Sequence, residues 1–293
     1  MLSNVSQNRK AITLGLMAVA LWSTVATAFN LSLQFVSPLL LVTIASATSW
    51  VFFGVIVAMN GQFKALASAS TRDISITLAI GVLNPGLYYY VLFEAYARLP
   101  AQEAMALNYT WALTLPLLAA LLLKQTLRRR DIIAALISYA GVFVIATHGA
   151  PWTLHFTNPV GIGLAIGSTL IWALYWIANT RHGINPVGAL FLNFSVSTPL
   201  LIALVVATEG LKPIPLEGVL GGLYVGIFEM GISFICWLNA MKLAARAATI
   251  STLIFLSPPF SLALIWLVLG EPVQPYTLLG LGFILTGLVW QHR

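Results

Sequence analysis

The sequence predicts an all-α integral membrane protein in which ten transmembrane helices form two inverted five-helix repeats, with both termini in the cytoplasm. Three observations support this prediction. The 293 residues are 59% hydrophobic and only 8% charged, with a mean hydropathy of +0.93, so the chain lacks the polar residues needed to cover a water-soluble surface. Ten apolar stretches follow one another, and the last five repeat features of the first five. The basic residues collect on one side of these stretches.

Each predicted span approaches the length of about 20 mostly apolar residues that a transmembrane helix needs. In chain order, the spans are residues 11–32, 38–59, 74–98, 101–123, 132–147, 160–180, 186–208, 218–243, 247–269 and 275–290. The connections between them are mostly short, which indicates one compact bundle. A β-barrel would instead show apolar and polar residues alternating over strands of about 10 residues.

Prolines mark irregular points within the predicted helices. Asn84-Pro85-Gly86 interrupts the third helix near its middle, Pro100 opens the fourth, and Pro116 lies inside it. Pro258-Pro259 lies inside the ninth helix. Because proline leaves backbone carbonyls unpaired, such points can line a cavity or act as hinges. The fifth and tenth helices carry almost no polar residues, so we expect them at the lipid-facing periphery.

An internal repeat divides the chain into residues 11–147 and 160–290. Residues 112–127 match residues 258–273 at one constant offset without gaps. Further matches pair Ala140-Gly141 with Thr286-Gly287, Leu21-Trp22 with Ile171-Trp172, and Pro38 with Pro186. Because each repeat holds an odd number of spans, the second is inverted relative to the first. Inverted repeats allow a transporter to expose one midplane site to either side of the membrane by alternating access.

The net charge of +6 reflects membrane topology rather than a nucleic-acid partner. With the N-terminus inside, only Arg98 and Lys212 fall outside, and the cluster at residues 128–130 is cytoplasmic. Arg9-Lys10 and the following apolar run resemble a secretory signal, but the run continues past Ala28, so we expect an uncleaved first helix.

Catalytic, metal and cofactor sites are not expected. The histidines, His148, His155, His182 and His292, lie in loops or at the tail, and none has a carboxylate or cysteine at metal-ligand spacing. Asp73 and Asp131 stand at helix starts, where they complement the helix dipole. The single cysteine, Cys236, excludes an internal disulfide and is expected to be a small buried residue. We therefore predict that the protein is not an enzyme.

Polar and aromatic residues deep inside the apolar stretches predict a central cavity, because exposing polar side chains to lipid costs free energy. The candidate substrate-binding residues are Trp22, Asn84, Tyr88, Asn108, Tyr109, Trp111, Trp172, Trp176, Glu229, Ser233, Trp237 and Ser251. The alternative for each serine is close helix packing or a bond to its own helix, and for each mid-helix tryptophan it is core packing. Trp152, Tyr276 and Trp290 lie near helix ends or in loops, where they fit an interfacial aromatic belt.

Among the acidic residues, Glu229 is distinguished by its position near the middle of the eighth helix. There it must be protonated, paired or hydrated, and it is the candidate to bind a substrate amino group or a coupling proton; a neutral structural carboxyl is the alternative. Glu94 stands one turn from Arg98, and Glu103 lies in the first turn of the fourth helix. Glu271 follows Gly270 in a turn, where it is assigned to capping or loop structure.

Several stretches together resemble the ten-helix branch of the drug/metabolite transporter superfamily, whose members carry two EamA-type repeats. They are Ala20-Leu21-Trp22-Ser23, residues 95–104, Leu256-Ser257-Pro258, Leu269-Gly270-Glu271-Pro272-Val273 and residues 280–287. Within that branch, Leu107-Asn108-Tyr109-Thr110-Trp111 resembles a stretch of bacterial aromatic amino-acid exporters, although Ala112 departs from the proline usual there. The resemblance covers nearly the whole chain.

This resemblance implies export of amino acids across a bacterial inner membrane, through a cavity lined mainly by helices 1, 3, 4, 6, 8 and 9. The expected substrates are aromatic and other hydrophobic or neutral amino acids, with threonine and methionine in range, and the expected partners are these substrates and membrane lipid. We expect a monomer. The alternatives are export of amphipathic drugs, polyamines or other small metabolites by the same fold, a lipid-modifying membrane enzyme, and a non-transporting scaffold.

Overall fold

The computed structural model describes residues 2–124, 129–153, 158–179, 181–244, 250 and 253–292. Within these ranges the regular structure is entirely helical. The main helices are α1 (Gln7–Leu33, continuing a helix that begins at Leu2), α2 (Pro38–Met59), α3 (Thr71–Tyr96), α4 (Ala101–Leu122), α5 (Arg129–Ala146), α6 (Pro159–Asn179), α7 (Pro186–Thr208), α8 (Leu216–Leu243), α9 (Ile254–Leu269) and α10 (Pro275–His292). A short helix, Phe63–Ala67, connects α2 to α3.

Seven of the described helices, α1 to α4 and α6 to α8, are long and apolar enough to cross a membrane. The prediction of an all-helical, multi-pass membrane protein is therefore confirmed. The described parts of α9 and α10 are shorter apolar helices, and α5 begins with Arg129, Arg130 and Asp131. A total of ten spans stays a prediction.

Several helices begin where the sequence places a cap followed by proline. The Ser37 hydroxyl accepts a hydrogen bond from the Leu40 N–H at 3.1 Å, and Pro38 is the first helical residue of α2. At the start of α7, Asn185 caps the Val187 N–H at 2.9 Å, ahead of Pro186. Proline suits this position because the first helical N–H has no partner within the helix.

Three of the long helices are irregular near their middle. In α3, Asn84 has extended backbone angles (φ −144°, ψ 122°) just before Pro85, as the Asn-Pro-Gly sequence predicts. The α4 helix is interrupted at Tyr109 and Thr110, although its Pro116 is accommodated within the helix that follows. The α8 helix widens over Val225–Ile232 into π-type turns, which are common at functional sites.

The α5 and α10 helices pack against each other and expose their outer faces. Gly141 meets the backbone of Gly280 at their closest approach, and the Ser138 hydroxyl donates to the carbonyl of Ile284 at 3.1 Å. Leu136 and Leu278 lie exposed on the outer faces. These helices thus form a closely packed pair with an exposed apolar face. The hydroxyl of Ser138 contributes a hydrogen bond between them.

The other helices surround the middle of the bundle. The α6 helix packs against α3 and α4, whereas α1 packs against α8 and α9. The α2 helix packs against α7, where the Ser46 and Thr198 hydroxyls lie 2.9 Å apart. Successive long helices run in opposite directions, so we call the side where α1, α3, α5, α7 and α9 begin the N-terminal side, and the other the opposite side.

Candidate functional site

A cavity of about 580 Å³ lies between α1, α3, α4, α6, α8 and α9. Most of the predicted binding residues line it: Trp22, Tyr88, Asn108, Tyr109, Trp111, Trp172, Trp176, Glu229 and Trp237. These residues come from five helices spread over the whole chain. The folded bundle brings these residues together around one cavity. Their contact with a substrate stays a prediction.

Three of the predicted binding residues are not among the described residues that line the cavity. Asn84 is buried in the α3 break, and its Oδ1 atom has no hydrogen-bond partner. The Ser233 hydroxyl is buried and donates to the carbonyl of Glu229 within its own helix, which is the alternative considered for the serines. Ser251 lies outside the described residues.

Aromatic rings form much of the cavity wall. The ring centroid of Trp172 lies 4.6 Å from that of Tyr88 and 6.2 Å from that of Trp111. Trp22 and Trp237, which also line the cavity, have centroids 5.2 Å apart. Aromatic pairs at these distances attract one another beyond the effect of burial alone. The wall is therefore ordered and apolar, and it offers flat faces to another ring.

Glu229 is the acidic residue deepest in the cavity wall, and it lies within the widened turns of α8. The buried Tyr89 hydroxyl donates to its Oε1 atom at 3.0 Å, while its Oε2 atom is buried without a hydrogen-bond partner. The described residues around the cavity include no Lys or Arg. A carboxylate here can accept a hydrogen bond from a cationic ligand group or can itself be protonated.

Hydrogen bonds tie the cavity wall together between α3, α4 and α6. The Asn108 Nδ2 atom donates to Ser168 Oγ at 3.1 Å and approaches the Tyr88 hydroxyl at 3.4 Å. Both N–H groups of the Asn108 amide thus face protein partners. The Nε1 atom of Trp172, whose side chain is 9% exposed, is buried and has no partner. It is therefore a donor whose hydrogen-bonding capacity is unused within the protein.

The cavity extends to the N-terminal side of the bundle. Asp131, at the start of α5, and Gln291, at the end of α10, line its N-terminal end. Towards the opposite side, the buried side chains of Tyr96 and Met105 line the cavity.

A polar group of three residues, which we call the Glu103 cluster, lies on the opposite side around the buried carboxylate of Glu103. Glu103 is 1% exposed, and its Oε1 atom lies 2.9 Å from His148 Nε2 and accepts from the Tyr276 hydroxyl at 2.9 Å. The His148 ring stacks on Tyr276 with centroids 4.7 Å apart. The sequence does not reveal this cluster, because the helix dipole explains the position of Glu103 and an interfacial belt explains that of Tyr276.

A second contact joins the start of α4 to the turn before α10. The Glu271 carboxylate accepts from the N–H groups of Ala101 and Gln102 at 3.1 and 3.3 Å. Gln102 in turn donates to the carbonyl of Pro272 at 3.0 Å and accepts from the N–H of Gln274 at 2.9 Å. The expected capping role of Glu271 is confirmed, and the helix that it caps lies about 170 residues earlier in the chain.

Local predictions for two further residues are also confirmed. Glu94 and Arg98 form the expected ion pair one helical turn apart. Cys236 is a free, buried thiol. Among the described residues, no group of three or more His, Cys, Asp or Glu side chains is arranged to hold a metal ion.

A family model and several relatives match this chain. The model of the EamA-like transporter family matches residues 9–147 and 159–291. The chain therefore belongs to the EamA-like transporter family, within the drug/metabolite transporter superfamily. This is a family of transporters rather than of enzymes.

The relatives are similar over about three quarters of the chain. An uncharacterized transporter of Clostridium kluyveri is 27% identical, over 74% of this chain and 72% of its own length. Protein PecM of Dickeya dadantii is 28% identical over 72% and 71%. A probable terminal-alkyne amino-acid exporter of Streptantibioticus cattleyicolor is 23% identical over 76% and 74%. A crystal structure with a TM-score of 0.64 and 22% identity, covering 97% of this chain and 96% of its own, has the same fold.

Proposed function

We propose that this transporter exports neutral amino acids, mainly aromatic and other hydrophobic ones, from the cytoplasm through the central cavity. The observation that carries the proposal is the cavity wall itself, which combines stacked aromatic rings with the partly unpaired carboxylate of Glu229. Its volume of about 580 Å³ falls within the range of about 300–1,000 Å³ typical of small-molecule sites. Threonine and methionine fall within the same size limit.

The proposed architecture is two inverted five-helix repeats, residues 11–147 and 160–290, with ten spans and both termini in the cytoplasm of a bacterial inner membrane. Two matches of one family model, to residues 9–147 and 159–291, support this division. Corresponding helices are also irregular at corresponding places: Tyr109-Thr110 in α4 and Ile254–Leu256 in α9. The excess of Lys and Arg on the N-terminal side supports the orientation.

The proposed transport cycle starts from the conformation described above. The cavity reaches the N-terminal side, which is the cytoplasmic side in the proposed orientation, so a substrate can enter from the cytoplasm. Release outside requires the Glu103 cluster and the Glu271 contacts to part while the N-terminal side closes. The irregular points in α3, α4 and α8 provide places where the helices can bend.

The relative with a named substrate supports an amino-acid cargo. It is the probable terminal-alkyne amino-acid exporter, at 23% identity. Because the sequence identity is this low, the substrate proposed for the present protein is argued mainly from the residues of its own cavity.

A second candidate function is export of amphipathic cations, including drugs and polyamines. The specific observation in its favour is that the described residues lining the cavity include the acids Glu229 and Asp131 but no Lys or Arg. Aromatic faces also attract organic cations. The same flux assay separates the two candidates.

The test is flux from proteoliposomes loaded with labelled phenylalanine, tryptophan, threonine or methionine, with and without an imposed pH gradient. Saturable efflux of phenylalanine and tryptophan, weakened in Trp111→Ala, is the expected result. Efflux that depends on the gradient and loses this dependence in Glu229→Gln assigns the coupling proton to Glu229, whereas gradient-independent efflux indicates a facilitator. Absence of amino-acid flux, together with flux of a labelled organic cation, would replace the first candidate by the second.

A further inference from the structure

Two buried atoms of opposite hydrogen-bonding character lack partners in the wall of the cavity. Glu229 Oε2 is an acceptor, and Trp172 Nε1 is a donor only. Buried polar atoms without partners are costly and uncommon in folded proteins. Ser261 Oγ is a third buried atom without a partner in the cavity wall. Because a hydroxyl can both donate and accept a hydrogen bond, it does not distinguish a donor group on a ligand from an acceptor group.

Two adjacent tyrosines hold these unpaired atoms in one part of the cavity. Tyr89 donates to Glu229 Oε1 at 3.0 Å, and the ring of Tyr88 lies 4.6 Å from that of Trp172. The rings of Tyr88 and Tyr89 are themselves 4.8 Å apart and nearly perpendicular, at 72°. The acceptor on Glu229 and the donor on Trp172 are therefore linked through the contacts of Tyr89 and Tyr88.

The charges around the cavity favour a ligand that carries its own positive charge. No Lys or Arg stands among the described lining residues, so a ligand anion would have no cationic partner in the protein. The Asn108 amide is already bonded to Ser168 and Tyr88, whereas the buried Nε1 atom of Trp172 has no partner. An indole N–H can bond a carboxylate whose charge is balanced by an ammonium group on the same molecule.

Resting on the proposed function, we propose that the site recognises both ends of a free α-amino acid: Glu229 Oε2 accepts from the substrate ammonium, and Trp172 Nε1 donates to the substrate carboxylate. The rings around Trp111 and Trp176 then face the substrate side chain. The site consequently selects zwitterions over amines that lack a carboxylate and over acids that lack an amine. Trp172 thus acts as a specificity-determining residue through its nitrogen as well as its ring.

The test measures how unlabelled compounds inhibit labelled phenylalanine flux in proteoliposomes. The inhibitors are phenylalanine, phenethylamine, which lacks the carboxylate, and 3-phenylpropionate, which lacks the amine. Trp172→Phe retains a ring but removes the N–H, and we expect it to weaken phenylalanine about tenfold while leaving phenethylamine unchanged. Glu229→Gln should weaken phenylalanine and phenethylamine by a similar factor while leaving 3-phenylpropionate unchanged.

Trp176→Phe is the matched control, since it makes the same change one turn further along α6. Its nitrogen is not among the buried unpaired atoms, so it should alter inhibition by all three compounds by one common factor. If Trp172→Phe instead changes inhibition by all three compounds by one common factor, as expected for the control, the proposal is overturned. This holds even where the wild-type protein transports phenylalanine. Absence of any wild-type amino-acid flux overturns the proposed function as well. If Glu229→Gln does not fold, Glu229→Asp is tested against the same three compounds.

Discussion

The hydroxyl of Tyr276 donates a hydrogen bond of 2.9 Å to the carboxylate of Glu103 and thereby joins the first turn of α10 to the first turn of α4. His148 approaches the same carboxylate oxygen at 2.9 Å and stacks on the Tyr276 ring. Three segments of the chain therefore meet at one buried carboxylate. In the transport cycle proposed above, these segments separate when the opposite side opens.

Tyr276→Phe should make the cavity more accessible from the opposite side. The substitution removes one hydrogen bond to a buried carboxylate, which is worth about 1.5–3 kcal/mol when the acceptor is charged. Accessibility is measured by labelling Met105→Cys in a Cys236→Ala background with a membrane-impermeant maleimide. Tyr224→Phe is the control, because it removes a hydrogen bond of 2.7 Å to Thr24 far from the cluster. Equal labelling in the two variants would contradict a gating role for the cluster.

Glu271→Ala should lower the thermal stability of the protein. It removes the acceptor for the N–H groups of Ala101 and Gln102, and loss of a helix cap costs about 0.5–2 kcal/mol. The midpoint of thermal unfolding in detergent, followed by size-exclusion chromatography, reports the change. Glu217→Ala provides the comparison, since this exposed residue lies in the first turn of α8. A midpoint lowered no more than in this comparison would show that the cap is unimportant.

Gly141→Ala should destabilise the α5–α10 pair. A Cβ atom at this position would collide with the carbonyl oxygen of Gly280, which belongs to backbone and cannot rotate away. Overpacking of this kind costs about 1–3 kcal/mol. Gly282→Ala, on α10 itself, meets no atom within 4 Å and should be neutral or slightly stabilising. The two unfolding midpoints, compared with that of the wild type, test the prediction, and a stable Gly141→Ala protein would contradict it.

Trp111→Ala should weaken export of phenylalanine and tryptophan more than export of threonine. The Trp111 ring lies at the cavity wall, 6.2 Å from the Trp172 centroid, so its loss removes an aromatic surface without removing a charge. Loss of one aromatic pair is worth about 0.5–1.5 kcal/mol, or about a two- to tenfold rise in KM for aromatic substrates. Initial rates in proteoliposomes measure this ratio. An equal change for all three amino acids would indicate a purely structural role.

The helical membrane fold could be predicted from sequence because span length and apolar composition are local properties. Pro38 and Pro186 identified two helix starts for the same reason, and Asn84-Pro85 identified the break in α3. The widened turns around Glu229 contain no proline. They depend on how α8 packs against its neighbouring helices. The sequence of α8 alone does not indicate that packing.

The aromatic part of the site was predictable because a tryptophan at mid-span has few roles. The Glu103 cluster was not, since each member had a sufficient local explanation: a helix start, a loop and an interfacial ring. Ser37 and Glu209, whose side chains bond at 2.7 Å, escaped notice in the same way. In each case the partners are separated by more than forty residues, and the available sign was an acidic residue near a helix end.

The contact of Glu271 with Ala101 and Gln102 also bears on how the protein is made. The first helical turn of α4 leaves the ribosome long before the carboxylate that satisfies its N–H groups, because about 170 residues separate them. During synthesis, those N–H groups must therefore remain bound to water, lipid headgroups or the insertion machinery. The first turn of α4 is therefore completed only after the segment that precedes α10 has been synthesised.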